Sequence, residues 1–274
     1  MTDIGAGVAE ETAVRSNRRR AMTISLAPGV VAGVIVALVL AVAGLPLIGG
    51  AAFVLATAVI ALWLWHRAPG ALISSLGASP SDEWEHPRLH NLVDGLCATM
   101  GLPRPMVCVV DSPVPNAMAV GRDPDSASLV VTSGLERSLT LVELEGALAH
   151  ELVHIKRQDT AVAGVAVVVA APLALVIGLG KATEWVHALI GPGREFSADQ
   201  RASAVVRYPP GIASALDTMV SGDSAGSPWP PGKGRVAALT RWLWIDPMVG
   251  ARGGGPMAGN LDDTRVRSAA LALD

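Results

Sequence analysis

The forty residues from Leu26 to Trp65 are almost wholly apolar, broken only by small residues and by Leu45-Pro46-Leu47-Ile48-Gly49-Gly50. A helix needs about 20 apolar residues to cross the roughly 30 Å hydrocarbon layer of a bilayer, so this run is twice the length of one crossing. Pro and Gly near its middle supply a turn. The sequence therefore predicts a membrane segment over 26–66, in which Pro28 to Leu45 and Gly50 to Trp65 form a hairpin of two transmembrane helices. A cleavable leader would have a shorter apolar core and no second span directly behind it. Composition agrees: a mean hydropathy of +0.44 and 16% charged residues are too apolar for an ordinary soluble enzyme of 274 residues.

Arg15, Arg18, Arg19 and Arg20 precede the first span, and His66-Arg67 follow the second. The excess of positive charge on both flanks predicts that both lie in the cytoplasm, in a multi-pass protein of the cell membrane. Residues 1–25 read as a disordered basic tail and 67–80 as a linker of small residues. The net charge of -3 and its distribution give no reason to expect a nucleic-acid partner. Cys97 and Cys108 have neither metal-ligand spacing nor the even framework of a small secreted domain, and read as buried thiols in a reducing compartment.

A soluble domain opens at Asp82-Glu83-Trp84-Glu85-His86-Pro87. Leu89, Leu92, Val93, Leu96 and Met100 share one helix face, which Gly101 and Pro103 end. Val107 to Val110, Ala117 to Val120 and Leu129 to Thr132 are short β-branched runs between Pro, Gly and Asp, predicting a small sheet. Thr140 and Glu143 then form a capping box ahead of Leu144, Ala147, Leu148, Leu152 and Ile155 at helical spacing.

That helix carries H-E-x-x-H at His150 to His154. Two histidines four apart lie on one helix face, one turn above the other, so both imidazoles can reach one zinc ion. Glu151, next to the first, is placed as general base toward a water beside the metal. A catalytic zinc has three protein ligands and an open position. Downstream candidates for the third are Asp159, Glu184, His187, Glu195 and Asp199. Gly191-Pro192-Gly193 breaks the chain, and the helix starting at Arg194 puts Glu195 and Asp199 on one face, as a ligand and a carboxylate that could orient a ligand histidine. This favours Glu195 over its rival His187, which sits beside Trp185.

Taken together, Pro115-Asn116-Ala117-Met118-Ala119-Val120-Gly121, Val130-Val131-Thr132-Ser133-Gly134-Leu135, the helix through Asp159, and Arg194-Glu195-Phe196-Ser197-Ala198-Asp199 resemble the M48 metallopeptidases, and among them the HtpX-like membrane proteases. The resemblance covers roughly residues 85 to 215, although Met118 stands where relatives usually show Phe. It implies an α+β, mainly helical, membrane-anchored zincin with a transmembrane hairpin and a cytoplasmic metallopeptidase domain containing a small β-sheet. On that reading residues 81–220 are the peptidase domain and 221–274 a loop-rich helical segment. The implied activity is zinc-dependent endopeptidase, with one Zn2+ per chain, polypeptide substrates from membrane or misfolded proteins, and the lipid bilayer as partner. Glu195 is implied as third ligand, Asp159 and Asp199 as supporting carboxylates, and Asn116, Ala117, Met118 and Ala119 as an edge that receives an extended substrate. The alternatives are a Ste24-like prenyl-protein protease and a non-catalytic zinc-binding membrane protein.

HtpX-like proteins usually carry two further spans between the zinc helix and the glutamate. Here about forty residues separate them, with one apolar run from Thr160 to Gly180. A single crossing would strand Glu195 opposite the histidines. The sequence therefore predicts that residues 160–190 form a hairpin or bent helix, broken near Pro172, that dips into the membrane and returns.

Overall fold

The computed structural model describes residues 2–221, 229–247 and 263–272, with side chains from Glu10 onward. Two long helices, α1 (Thr2–Val42) and α2 (Pro46–Leu76), form an antiparallel pair. Gly44 takes φ 80° in the turn between them, and Pro46 opens α2 where its missing N–H costs nothing. The helices touch at backbone distance: a Cβ on Gly29 would lie 2.7 Å from the Thr57 carbonyl oxygen.

Both helices overrun the expected spans. The segment read as a disordered tail is helical from Thr2, because it has something to lean on. Ala21 is fully buried against Ala161 and Val162, Asn17 donates to the Arg157 carbonyl at 3.1 Å, and Arg20 donates to that of Leu189 at 2.6 Å. The expected linker is likewise helix as far as Leu76, passing through Pro69 and ending at Gly77 in the left-handed conformation. Ala68, Leu72 and Leu76 are buried on one face of it, and that burial outweighs the bond lost at proline.

Next come a two-residue strand, β1 (Ser79–Pro80), helix α3 (Pro87–Met100), strands β2 (Met106–Val110), β3 (Ala117–Val120) and β4 (Ser128–Thr132), and a short helix α4 (Ser133–Ser138). The sheet order is β1-β2-β4-β3, with β2 and β4 parallel and the other two pairs antiparallel. Alternation along the strands divides two cores. Val107, Ala117, Ala119, Leu129 and Val131 face α3 and helix α5 (Leu141–Arg157), whereas Cys108, Val110, Met118, Val120 and Val130 face the far end of α2 and the helix after α5. Cys97 and Cys108 are both buried and free.

One residue, Gln158 at φ 55°, separates α5 from α6 (Asp159–Ile177). Gly178, with φ 84° and ψ 154°, then turns the chain into α7 (Leu179–Ile190), which packs back on α6. The hairpin thus breaks at Gly178, not at Pro172, because only glycine adopts that conformation readily while α6 continues through its proline. Leu175 and Val176 at its tip are exposed, whereas Asp159 to Val167 are buried. The chain returns to its starting level, since Arg194 at the head of α8 (Arg194–Val206) lies 3.6 Å from Asp159. Among the described residues, three helices, Glu10–Val42, Pro46–Leu76 and Asp159–Ile177, are long and apolar enough to cross a membrane.

Helices α9 (Pro209–Ser221), α10 (Gly234–Leu239) and α11 (Thr264–Leu271) complete the described chain. Ile245 and Leu271 belong to the same core as α5, so these parts of 221–274 pack with the domain and not apart from it. The remainder of that segment, residues 222–228, 248–262 and 273–274, lies outside the described residues.

Candidate metal centre

Helix α5 is fixed at its N-terminus by the reciprocal capping box of Thr140 and Glu143. The Glu143 carboxylate also accepts from Ser214 and Thr218. Burial opposes its ionisation, but the Ser214 hydroxyl and the Thr140 amide and hydroxyl outweigh this and hold the carboxyl below its ordinary range. From that anchor the helix carries His150, Glu151 and His154 inward, each about 1% exposed.

His150 Nε2 and His154 Nε2 stand 3.1 Å apart, and the Glu195 carboxylate lies 2.9 Å from the first and 3.5 Å from the second. These three side chains are the one group among the described residues whose donor atoms converge closely enough to hold a metal ion. The distal nitrogens are engaged: His150 Nδ1 lies 2.7 Å from Asp199 Oδ1, and His154 Nδ1 lies 3.0 Å from Asp159 Oδ1. A carboxylate at Nδ1 accepts that proton and leaves the Nε2 lone pair facing inward.

The residues fit a divalent cation on three grounds. Two inward nitrogens and a carboxylate at such distances need protons or a cation between them, and the spacing is close to the roughly 3.4 Å between neighbouring ligands of a tetrahedral zinc. With both imidazoles neutral, as metal ligands are, the formal charges of Glu151, Asp159, Glu195 and Asp199 against Arg194 and Arg267 leave two negative charges, which a divalent ion would balance. Lastly, both oxygens of Glu151 are buried without a hydrogen-bond partner, beside the ligands. Burial pushes its carboxyl up.

Two arginines that sequence reasoning did not single out complete the surroundings. Arg194 meets Glu195 Oε1 at 2.6 Å, and its guanidinium overcomes the burial penalty to hold the Glu195 carboxyl well below the usual range. Arg267, from α11, grips Asp199, whose carboxyl it holds down against burial. The Arg-Glu adjacency was visible in the sequence; nothing local marked Arg267. Among the other ligand candidates, His187 instead stacks on Trp242 at 3.8 Å, and Glu184 lies exposed on α7.

The expected substrate edge is partly engaged. Strand β3 is the last in the sheet, but the Asn116 side chain is fully buried and clamps the Asp246 peptide, donating to its carbonyl at 2.8 Å and accepting from its N–H at 3.1 Å. Ile245 N–H donates to the Ala117 carbonyl at 3.0 Å. Met118 points into the core on the far side of the sheet. By the antiparallel alternation Ala119 turns its backbone groups away from β4, although the residue is buried in this structure.

Residues 83–243 match the model of peptidase family M48. The chain is 32% identical over 189 residues to the Protease HtpX homolog of Salinibacter ruber, covering 61% of this chain and 68% of that protein. The Protease HtpX homolog of Pyrococcus furiosus is 30% identical over 203 residues, covering 62% and 70%. Protease HtpX homolog 1 of Streptomyces coelicolor is 38% identical over 173 residues, covering 53% and 57%, so the chain spans little more than half of some relatives. The matched domain spans the histidine pair, Glu151 and Glu195, and with these relatives it shows that the chain belongs to peptidase family M48 and is an HtpX-like metalloprotease.

Proposed function

We propose that the chain is a zinc endopeptidase that cleaves polypeptides at the cytoplasmic face of a membrane. The observation that carries this is the convergence of His150 Nε2, His154 Nε2 and the Glu195 carboxylate beside the unpartnered carboxylate of Glu151. His150, His154 and Glu195 would hold the zinc, which when bound supplies Lewis-acid polarisation of the scissile carbonyl and of the attacking water. Asp199 and Asp159 keep the imidazoles aimed inward through Nδ1. Glu151 takes the proton as water attacks and delivers it to the departing amine, so the base regenerates as the peptide bond breaks. Its two free oxygens are what such a shuttle requires. The outer edge of β3 at Ala119, buried in this structure, would receive an extended substrate by strand addition once uncovered.

The cytoplasmic location is supported by Arg15, Arg18, Arg19 and Arg20, which lie in α1 just before its apolar stretch, and a shared side for Glu195 and the histidines by the hairpin of α6 and α7. The HtpX relatives weigh against the Ste24-like and non-catalytic alternatives. The test is zinc analysis and casein cleavage by the purified full chain in detergent. Chelation should abolish cleavage and zinc should restore it. Glu195→Ala, which leaves two protein ligands, should lose zinc, whereas His187→Ala should keep it. The reverse order would transfer the third ligand to His187.

A further inference from the structure

Arg267 lies beyond the stretch that matches the family, in α11, and its side chain is fully buried. Its Nε donates to Asp199 Oδ2 at 2.6 Å and its Nη2 to Asp199 Oδ1 at 2.8 Å, a two-pronged fork across 68 residues of sequence. Asp199 Oδ1 is the same oxygen that meets His150 Nδ1. The third nitrogen, Nη1, donates to the Ile245 carbonyl and stands 3.8 Å from Glu195 Oε2. One planar cation thus touches the carboxylate behind one candidate ligand, the carboxylate of another, and the segment bonded to β3 through Ile245 N–H.

Resting on the metal-centre reading, we propose that Arg267 is a positioning residue of that centre: it fixes Asp199, and through it the direction in which His150 presents Nε2, so that α11 helps to set metal affinity. A buried carboxylate accepting from one imidazole alone can rotate about its side-chain torsions. The fork removes that freedom, because a guanidinium binds both oxygens in one plane. Partners in this outer layer typically change metal affinity about 10-fold to 100-fold. The same cation near Glu195 Oε2 offsets the charge of the ligand carboxylate without competing for the zinc.

A residue that only anchored α11 would behave differently. Leu271 anchors the same helix by burial in the main core, and its hydrocarbon side chain can make neither a hydrogen bond nor an ion pair to these polar groups. The experiment uses the full chain in detergent micelles, with zinc affinity measured by competition with a chromogenic chelator, the visible spectrum of the Co2+-substituted protein, and thermal unfolding as a control for the fold. Arg267→Ala should weaken zinc about 10-fold to 100-fold and alter the Co2+ bands. Arg267→Lys, which keeps the charge but loses the fork, should fall between it and wild type. Leu271→Ala should lower the unfolding temperature yet leave zinc affinity within about 2-fold. If Arg267→Ala does not fold, Arg267→Lys carries the test. Unchanged affinity and spectrum in the folded arginine variant, or an equal loss of zinc in Leu271→Ala, would overturn the proposal. His150→Ala with zinc affinity intact would instead overturn the metal-centre reading on which it rests.

Discussion

Replacing Glu151 by Gln tests the chemistry with little disturbance to the structure. Both carboxylate oxygens are buried and neither holds a hydrogen-bond partner, so exchanging one for an amide breaks no contact. His150 and His154 are oriented by Asp199 and Asp159, and Glu195 by Arg194, none of which leans on Glu151. Zinc should therefore stay bound with affinity close to wild type. Loss of a general acid-base group costs about 10²-fold to 10⁴-fold in rate, which is about 2.7–5.4 kcal/mol of transition-state stabilisation. The loss should fall on kcat with KM little changed, since the proton is transferred only in the transition state. Stability should not drop, because an unpartnered buried amide costs less than an unpartnered buried charge. The assay is steady-state cleavage of casein alongside zinc content and thermal unfolding of the same preparations. A variant that retains zinc and cleaves within about tenfold of wild type would refute Glu151 as the proton carrier.

Two further predictions concern the frame that holds the site. Single cysteines at Lys181 and Pro192, on a background lacking Cys97 and Cys108, report on the hairpin: Pro192→Cys should react with an impermeant thiol reagent only in opened cells, and labelling from outside would break the cytoplasmic reading. Glu143→Gln should destabilise the protein by about 1–2 kcal/mol at neutral pH through the weakened cap of α5. Because the folded carboxyl is held below its ordinary range, its contribution is present above the unfolded value and is lost as pH falls through the folded one. The gap between variant and wild type should therefore shrink on acidification in thermal unfolding, and a gap that does not change with pH would contradict this.

What the sequence made legible was local. His150, Glu151 and His154 follow from one helical turn, and the nearness of Glu195 to Asp199 from another, because helix spacing alone decides which side chains share a face. The strands were legible from their β-branched runs, and the capping box of α5 from two residues. Partnerships over distance were not. The Asn116 clamp on Asp246 spans 130 residues, and the Arg267 fork has no signature within its own octapeptide helix. Pro69 looked like a linker residue because the burial that keeps it helical comes from packing around Ala68 and Leu72, which no short window contains. Pro172 looked like the break for the same reason: a proline is conspicuous in sequence, whereas the left-handed requirement at Gly178 is visible only in the backbone.

The fork between Arg267 and Asp199 also orders events in time. A ribosome reaches Arg267 about seventy residues after Glu195, an interval of roughly 4 to 14 s at 5–20 residues per second. Through that interval the two histidines and Glu195 already exist, but the cation that steadies Asp199 does not. The last described helix is thus the part whose arrival finishes the centre, so a nascent chain emerging beside its own membrane segment carries an immature protease until Arg267 has been added and α11 has docked.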